Sequence, residues 1–255
     1  VKIPELTRET SIYAFWGKEG VSLPVCTANG SVWIDDYLAV WHLNDATDTT
    51  TLDSTAHSFN GEKGAVDSPK EVVGKIGKCQ LFNKSHIKLL RLFDTGQIYT
   101  VSMWINGSSN LKSLYPLDVE SGRLLFGWGS DTAGQIGVYD GTWKNFGSTP
   151  SLNTWHHVVY LCQQDSASLF LNGEQYGSTL PFNAKPISGQ CAFGSRYSYG
   201  SFYFPGMLDE VRISTKIRSS DWIWASWQNQ GANATFNDYG AVVSQVNKGS
   251  IFILR

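Results

Sequence analysis

The sequence predicts an all-β protein, a two-sheet antiparallel β-sandwich with one short helix near its C-terminal end. Short apolar runs recur along the chain with turn residues about every ten positions, which is typical of sandwiches. Glycine is abundant, at 25 of 255 residues, and 13% of the residues are aromatic. No segment repeats with the period of a solenoid or a propeller. These observations favour one large β-domain with a substantial core.

Composition limits the function. The formal net charge is −2 and only 16% of the residues are charged, so nothing favours binding to nucleic acid or to an anionic membrane surface. No apolar run is long enough to span a bilayer, so no membrane insertion is expected. The chain starts at Val1 in strand-like sequence without a signal peptide, and we interpret it as a mature or excised piece of a longer secreted or cell-surface protein.

The four cysteines are Cys26, Cys79, Cys162 and Cys191. Their spacings match no zinc-binding pattern. They are either small buried apolar residues or members of disulfides, which would fit an extracellular location, and the sequence leaves both alternatives open.

The chain divides into three predicted parts. Residues 1–34 form a partial N-terminal β segment with a strand at 9–16. Residues 35–230 form the main domain. Residues 231–255 form a polar connector with a possible extra strand at 250–254.

Within the main domain, alternating or apolar runs bounded by turn residues predict the strands. They fall at residues 36–43, 79–82, 86–89, 99–106, 123–128, 135–139, 155–163, 168–175, 191–194 and 207–214. Asn172-Gly173 predicts a tight hairpin turn, because both residues tolerate positive φ. Residues 219–230 carry a helical apolar stripe, and Ser219 or Ser220 can cap that helix.

The strand at 206–214 presents a chemical problem. Alternation places Met207, Asp209, Val211 and Ile213 on one face. Val and Ile favour the core, so this pattern predicts a buried Asp209 carboxylate. A buried carboxylate requires a hydrogen-bond donor, an ion partner or a metal.

Residues 44–60 are polar and rich in turn residues. They supply many oxygen atoms close to the first strand of the main domain. Calcium takes about six to eight oxygen ligands, often loop carbonyls together with carboxylates. A solvated loop with Asx-turns is the alternative interpretation.

Several motifs occur together in a familiar order. They are residues 39–43, 53–55 with Asn60-Gly61, 74–78, 99–104, 154–158, 169–173 and 208–213. In this order the chain from Tyr37 to about Gln230 resembles the laminin-G-like, concanavalin A-like jelly-roll domains of bacterial secreted proteins. Residues 1–34 resemble the tail of a small β-domain that often precedes such modules.

The resemblance implies two curved antiparallel sheets. It also implies a structural calcium ion, held by the Asp that matches Asp209 and by backbone oxygens near the first strand. We therefore predict that Asp209 binds Ca²⁺ together with groups near Asp53 or Asn60. The alternative is that Asp209 accepts backbone N–H groups from a loop.

Hydrolysis is not favoured by the sequence. Retaining glycosidases on this fold use two carboxylates about 5–5.5 Å apart. The nearest match is Asp118 with Glu120, which lie in an insertion and are predicted to form a solvated turn. His156 and His157 are adjacent in a strand, so they point to opposite faces and cannot serve one site.

Aromatic loops favour glycan binding, because sugar sites stack aromatic rings on apolar sugar faces. Two stretches qualify, residues 128–131 together with 139–143, and residues 196–204. The predicted ligand residues are Trp128, Asp131, Tyr139, Trp143, Arg196 and Tyr199. The alternative is that these rings fold back over a sheet edge.

We therefore expect a non-catalytic carbohydrate-binding or adhesion module of a larger secreted bacterial protein. A polysaccharide-degrading enzyme, or its ancillary domain, with an atypical site is one alternative. An adhesion or spacer domain that binds other extracellular proteins is another.

Overall fold

A computed structural model describes residues 12–16, 20, 22, 24–27, 29–33, 36–47, 49–64, 68–89, 94–120, 127–232, 243–244 and 250–254. The first strands are β1 (Ile12–Trp16), β2 (Tyr37–Trp41), β3 (Thr50–Thr51), β4 (Gly61–Lys63), β5 (Lys70–Val73), β6 (Lys78–Phe82), β7 (Ile87–Leu89), β8 (Ile98–Gly107) and β9 (Leu117–Val119). The later ones are β10 (Gln135–Tyr139), β11 (Trp143–Ser148), β12 (His156–Gln163), β13 (Ser166–Leu171), β14 (Glu174–Pro181), β15 (Cys191–Phe193), β16 (Gly206–Ser214), β17 (Val243–Ser244) and β18 (Ser250–Leu254). Val25–Thr27 is a 3-10 helix, and α1 spans Ser220–Gly231. The strand predicted at 123–128 lies largely outside the described residues, as do positions 9–11 of the first predicted strand.

Two antiparallel sheets form the main domain, as the sequence predicts. The larger has the order β14-β13-β12-β8-β16-β6-β5, with β2 also paired to β16. The smaller has the order β3-β4-β7-β15-β9. Apolar side chains from both sheets form one core between them, where the ring of Trp41 on β2 meets Phe193 on β15 at 5.1 Å. This packing of inner faces defines a β-sandwich.

Strand β16 lies near the centre of the larger sheet, but its alternation is broken. The register with β8 shifts between Asp209 and Arg212, and Glu210 has φ +51°, so a β-bulge lies here. Leu208, Val211 and Ile213 belong to the core. The prediction that Asp209 shares a face with Val211 and Ile213 is therefore wrong, because the extra residue moves Asp209 to the outer face of the sheet.

Helix α1 covers part of that outer face. The Ser219 hydroxyl caps the helix by accepting the Trp222 N–H, one of the two caps expected from the sequence. Ile223 packs in a second apolar cluster with Val159, Leu161 and Phe170. Strand β12 is consequently buried on both faces, which explains its continuous apolar sequence.

The predicted hairpin turn joins β13 to β14, and both of its central residues have positive φ, Asn172 at +50° and Gly173 at +87°. Strand β18 forms where a late strand was predicted and pairs with β1 and β17 in a separate three-stranded sheet. All four cysteines are free thiols. Among the described residues, none of the helical segments has the length and apolar character needed to cross a membrane.

Candidate functional site

A surface groove of about 350 Å³ lies at the β9 edge of the smaller sheet. Hairpin β10–β11 forms one side and the loop between β15 and β16 forms the other. Its lining residues, which define the aromatic groove, are Tyr115, Asp118, Val119, Glu120, Tyr139, Trp143, Arg196, Tyr197 and Phe202.

The tip of hairpin β10–β11 supplies two of the rings. Tyr139 and Trp143 are opposite each other in register, and their rings meet edge to face at 5.7 Å. The turn between them is held by Asp140, whose Oδ1 accepts the Thr142 N–H at 3.3 Å and whose Oδ2 accepts the Asn183 N–H at 3.1 Å. The hairpin therefore presents a fixed aromatic pair rather than two independent side chains.

The facing wall combines aromatic and cationic groups. Tyr115 packs against Phe202 at 5.0 Å and against Trp143 at 6.1 Å. The Arg196 guanidinium lies 5.4 Å from the Tyr197 ring centre and 5.6 Å from that of Phe202. These contacts hold the positive charge over aromatic faces at the wall of the groove.

Asp118 lies in strand β9, so the prediction that it belongs to a solvated turn is wrong. Its neighbours Leu117 and Val119 are core residues, which draws this segment into the sheet. The Asp118 side chain is fully buried; Oδ1 accepts the Val119 N–H at 2.8 Å, and Oδ2 accepts the Tyr197 N–H at 3.0 Å. Burial raises the pKa of this carboxyl to about 6, against the opposing effect of those amides. Asp118 thereby anchors the 196–202 loop.

Tyr199 lies beside the aromatic groove, on the outer face of the smaller sheet. Register places Glu62, Lys88, Ala192 and Asp118 in one row across that face. The Tyr199 ring stacks on His86 at 5.1 Å, and the Lys88 ammonium lies 5.2 Å from its centre. Tyr199 covers the sheet and does not line the groove.

The structure brings together three of the six predicted ligand residues, Tyr139, Trp143 and Arg196. Trp128 is fully buried in the core, so the prediction that its ring is exposed on a loop is wrong. Its indole packs against Phe204 and His156 in the core. Antiparallel bridges join Gly127 to Gly137 and Gly129 to Leu114, so this segment is paired on both sides and does not form an open loop. Asp131 is exposed in the turn before β10, where it accepts the Ser130 hydroxyl at 3.2 Å, and it lies outside the groove lining.

Asp53 and Asn60, two of the predicted calcium ligands, serve the loop after β3. Oδ1 of Asp53 accepts the N–H groups of Val40 and Thr55, and Oδ2 accepts the Phe59 N–H and the Thr55 hydroxyl, at 2.8–3.0 Å. Asn60 Oδ1 accepts the Asp53 N–H at 2.9 Å. These oxygens already have donors from the chain itself.

Asp209, the third predicted ligand, is held elsewhere. Its Oδ2 accepts the Ile76 N–H at 2.9 Å, where the turn between β5 and β6 crosses the outer face, while Oδ1 has no donor. Burial, with the nearby Glu210 charge, raises the pKa of Asp209 to about 7. Among the described residues, no group of three or more His, Cys, Asp and Glu side chains converges as metal ligands. The three predicted residues therefore do not fit one calcium site, and calcium binding itself stays a prediction.

Tyr115 was missed as a site residue. It lies within the predicted insertion of Ser, Asn and Leu at residues 107–122, and nothing in one-dimensional spacing links it to Phe202. Its ring enters the groove because its N–H donates to the Phe202 carbonyl at 3.2 Å across the loop. Proximity to the apolar pair Leu117 and Val119 was the one available signal that this segment is a strand.

The sequence matches one protein-family model. Residues 82–224, more than half of the chain, match the model of the concanavalin A-like lectin/glucanases superfamily, of the laminin-G type. The chain belongs to this superfamily. No curated protein is significantly similar to it in sequence.

Solved structures of other proteins share the fold of this chain. Domain 4 of AbnA, a GH43 extracellular arabinanase from Geobacillus stearothermophilus in complex with arabinotriose, has a TM-score of 0.61 at 17% identity, over 74% of this chain and 97% of that one. The binding domain of Paraclostridial Mosquitocidal Protein 1 has a TM-score of 0.57 at 16% identity, over 76% of this chain and 52% of that one. Trypanosoma rangeli sialidase has a TM-score of 0.56 at 13% identity, over 78% of this chain and 33% of that one. The chain thus corresponds to about half of the toxin domain and a third of the sialidase, and at these identities the likeness shows the fold alone.

Proposed function

We propose that this chain is a non-catalytic glycan-binding module of a larger secreted or cell-surface bacterial protein, and that the aromatic groove holds the glycan. The observation that carries the proposal is the convergence of Tyr139, Trp143 and Phe202 around one groove with Arg196 in its wall. The arabinotriose complex of the similar arabinanase domain supports a glycan as the ligand class.

The chemistry of the lining suits a sugar ring. Aromatic faces pack on the C–H faces of a pyranose or furanose, and Trp143 and Phe202 are partly exposed for that contact. Hydroxyl groups need fixed polar partners. The Arg196 guanidinium can donate to them, and the exposed Glu120 carboxylate, whose Oε2 accepts the Gln190 N–H at 3.3 Å, can accept from them.

A catalytic role is less well supported. Asp118 and Glu120 both line the groove, and the pKa of Asp118 is raised to about 6, as expected of a general acid. However, Asp118 is fully buried and both of its oxygens accept backbone N–H groups. Such a carboxyl supports the loop rather than a proton transfer to substrate.

Glycan-array screening of the whole chain, followed by calorimetric titration of the best oligosaccharide, tests the proposal. Trp143→Ala and Arg196→Ala are each expected to weaken binding by roughly 30-fold, because loss of an aromatic or arginine anchor typically costs about 2 kcal/mol. Trp224→Ala is the matched control, since Trp224 is 45% exposed on helix α1, outside the groove. Its affinity is expected to equal that of the wild type.

Other results would identify the alternatives. Release of shorter oligosaccharides, lost in Glu120→Gln, would replace the proposal with a glycan-degrading enzyme. If no glycan binds, or if Trp224→Ala weakens binding as much as Trp143→Ala does, the groove assignment fails. An adhesion or spacer domain that binds proteins then becomes the better description.

A further inference from the structure

Lys63 has a buried ammonium group, which is uncommon for lysine. It ends strand β4 and is only 3% exposed. Its Nζ donates to the carbonyl oxygens of Asp45 at 2.8 Å and of Thr47 at 2.7 Å. Both carbonyls belong to the segment that follows β2. A buried charge persists only where fixed polar groups replace its water shell, and here backbone oxygens do so.

More oxygens lie around this contact than hydrogen bonds account for. Gln80 is fully buried, and its amide NH₂ donates to the carbonyls of Leu43 at 3.0 Å and Asp45 at 3.2 Å, which leaves its Oε1 without a donor. Oδ2 of Asp45 and the Thr51 hydroxyl are also buried, and the Lys63 charge and a hydrogen bond from Thr51 both oppose the rise in the pKa of Asp45 that burial causes. We call this set the oxygen cage: the carbonyls of Asp45 and Thr47 with the side-chain oxygens of Asp45, Thr51 and Gln80.

Carbonyl, carboxylate and amide oxygens are the ligands that hard cations such as Ca²⁺ take in proteins. We propose that the oxygen cage is a cation site filled from within by the Lys63 ammonium. The domain then folds without a divalent metal, and the cage takes a hard divalent cation only when that ammonium is removed.

The proposal also explains why the predicted calcium ligands do not form one site. The family resemblance implies an ion held by backbone oxygens near the first strand of the domain, and Asp45 and Thr47 directly follow that strand. Here a covalently attached cation contacts those oxygens, whereas the side-chain oxygens of Asp53 and Asn60 accept from other backbone and side-chain donors. Asp209 lies on the outer face of the larger sheet, where its Oδ2 accepts the Ile76 N–H. This inference does not depend on what the aromatic groove binds.

Thermal melting of the whole chain in EDTA and in millimolar CaCl₂ tests the proposal. The wild-type Tm is expected to be the same in both. Lys63→Met is expected to lower the Tm by about 5–10 °C in EDTA, because buried oxygens lose their partner. CaCl₂ is expected to recover much of that loss. Lys78→Met is the matched control: Lys78 is also a strand lysine, but its side chain is 52% exposed beside Glu71, and neither change is expected there.

Three outcomes overturn the proposal: a wild-type Tm that falls in EDTA, a Lys63→Met Tm equal to that of Lys78→Met, or a Lys63→Met Tm that CaCl₂ does not raise. If Lys63→Met does not fold, Lys63→Gln replaces it, with calorimetric titration of CaCl₂ into the variant as the direct measurement. Binding by the variant and none by the wild type supports an internally filled cage, and binding by both contradicts it.

Discussion

Glu210→Gln is expected to lower the free energy of unfolding at neutral pH by about 3 kcal/mol, because removal of one member of a buried ion pair leaves the other charge without compensation. Glu210 is 6% exposed, and its two carboxylate oxygens lie 2.6 Å from His42 Nδ1 and 2.6 Å from the Arg212 guanidinium. Burial alone would raise the pKa of Glu210, but the His42 hydrogen bond and the Arg212 charge hold it below its usual value. The isosteric amide keeps the shape and removes the charge.

Chemical denaturation at pH 7 measures this loss, which corresponds to a Tm decrease of about 6–12 °C for a chain of this size. The control is Glu71→Gln, which removes an ion pair with Lys78 that is 3.6 Å long and partly exposed, at 24% for Glu71 and 52% for Lys78. Exposed pairs contribute less than about 1 kcal/mol, so that variant is expected to melt with the wild type. Equal effects of the two substitutions would show that the buried network does not stabilise the domain.

Asp209→Asn is expected to stabilise the protein at pH 8 and to have little effect at pH 4. Asp209 is fully buried, and its Oδ1 has no donor. Burial, followed by repulsion from Glu210, raises the pKa of Asp209 from 3.8 to about 7. A carboxyl whose folded-state pKa is raised favours folding while it is protonated, and this contribution is lost as the pH rises from about 4 through about 7. At about 1.4 kcal/mol per pKa unit, the ionised form costs on the order of 4 kcal/mol, which the neutral amide avoids.

The difference between variant and wild type is the quantity to measure, because other groups oppose the trend. Burial lowers the pKa of His157 to about 3, so its contribution is present above about pH 6.5 and is lost on acidification. Subtracting the wild-type profile removes the contribution of His157 to the pH dependence. Asp131→Asn, at an exposed position, is the control and is expected to give a flat difference. A flat difference for Asp209→Asn as well would contradict the assignment of its raised pKa.

Much of the fold follows from local sequence. Apolar runs predicted the strands around residues 99–106 and 155–163, because packing in a sheet selects Val, Ile and aromatic residues wherever it occurs. Asn172-Gly173 specified its hairpin turn through backbone conformation alone. Ser219 specified the start of helix α1 through a hydrogen bond that spans three residues. Each of these signals acts between near neighbours in the chain.

The candidate site was only partly predictable. Tyr139, Trp143 and Arg196 were predicted because exposed aromatic residues on Gly-rich loops often mark a binding site. Trp143 faces Tyr115, whereas Trp128 is buried. This difference depends on how hairpin β10–β11 folds against the sandwich. Two tryptophans on neighbouring glycine-rich segments look alike in sequence, and only tertiary packing assigns one to the surface and the other to the core.

The sequence by itself determined the fold class, the family, the hairpin and the helix, because period, turn chemistry and capping are properties of short segments. Only the tertiary structure decided which way Asp209 faces, since one bulged residue at Glu210 reverses the alternation that follows it. It also decided that the Lys63 ammonium meets the carbonyls of Asp45 and Thr47. These contacts join residues far apart in the chain, and long-range packing rather than local preference fixes them.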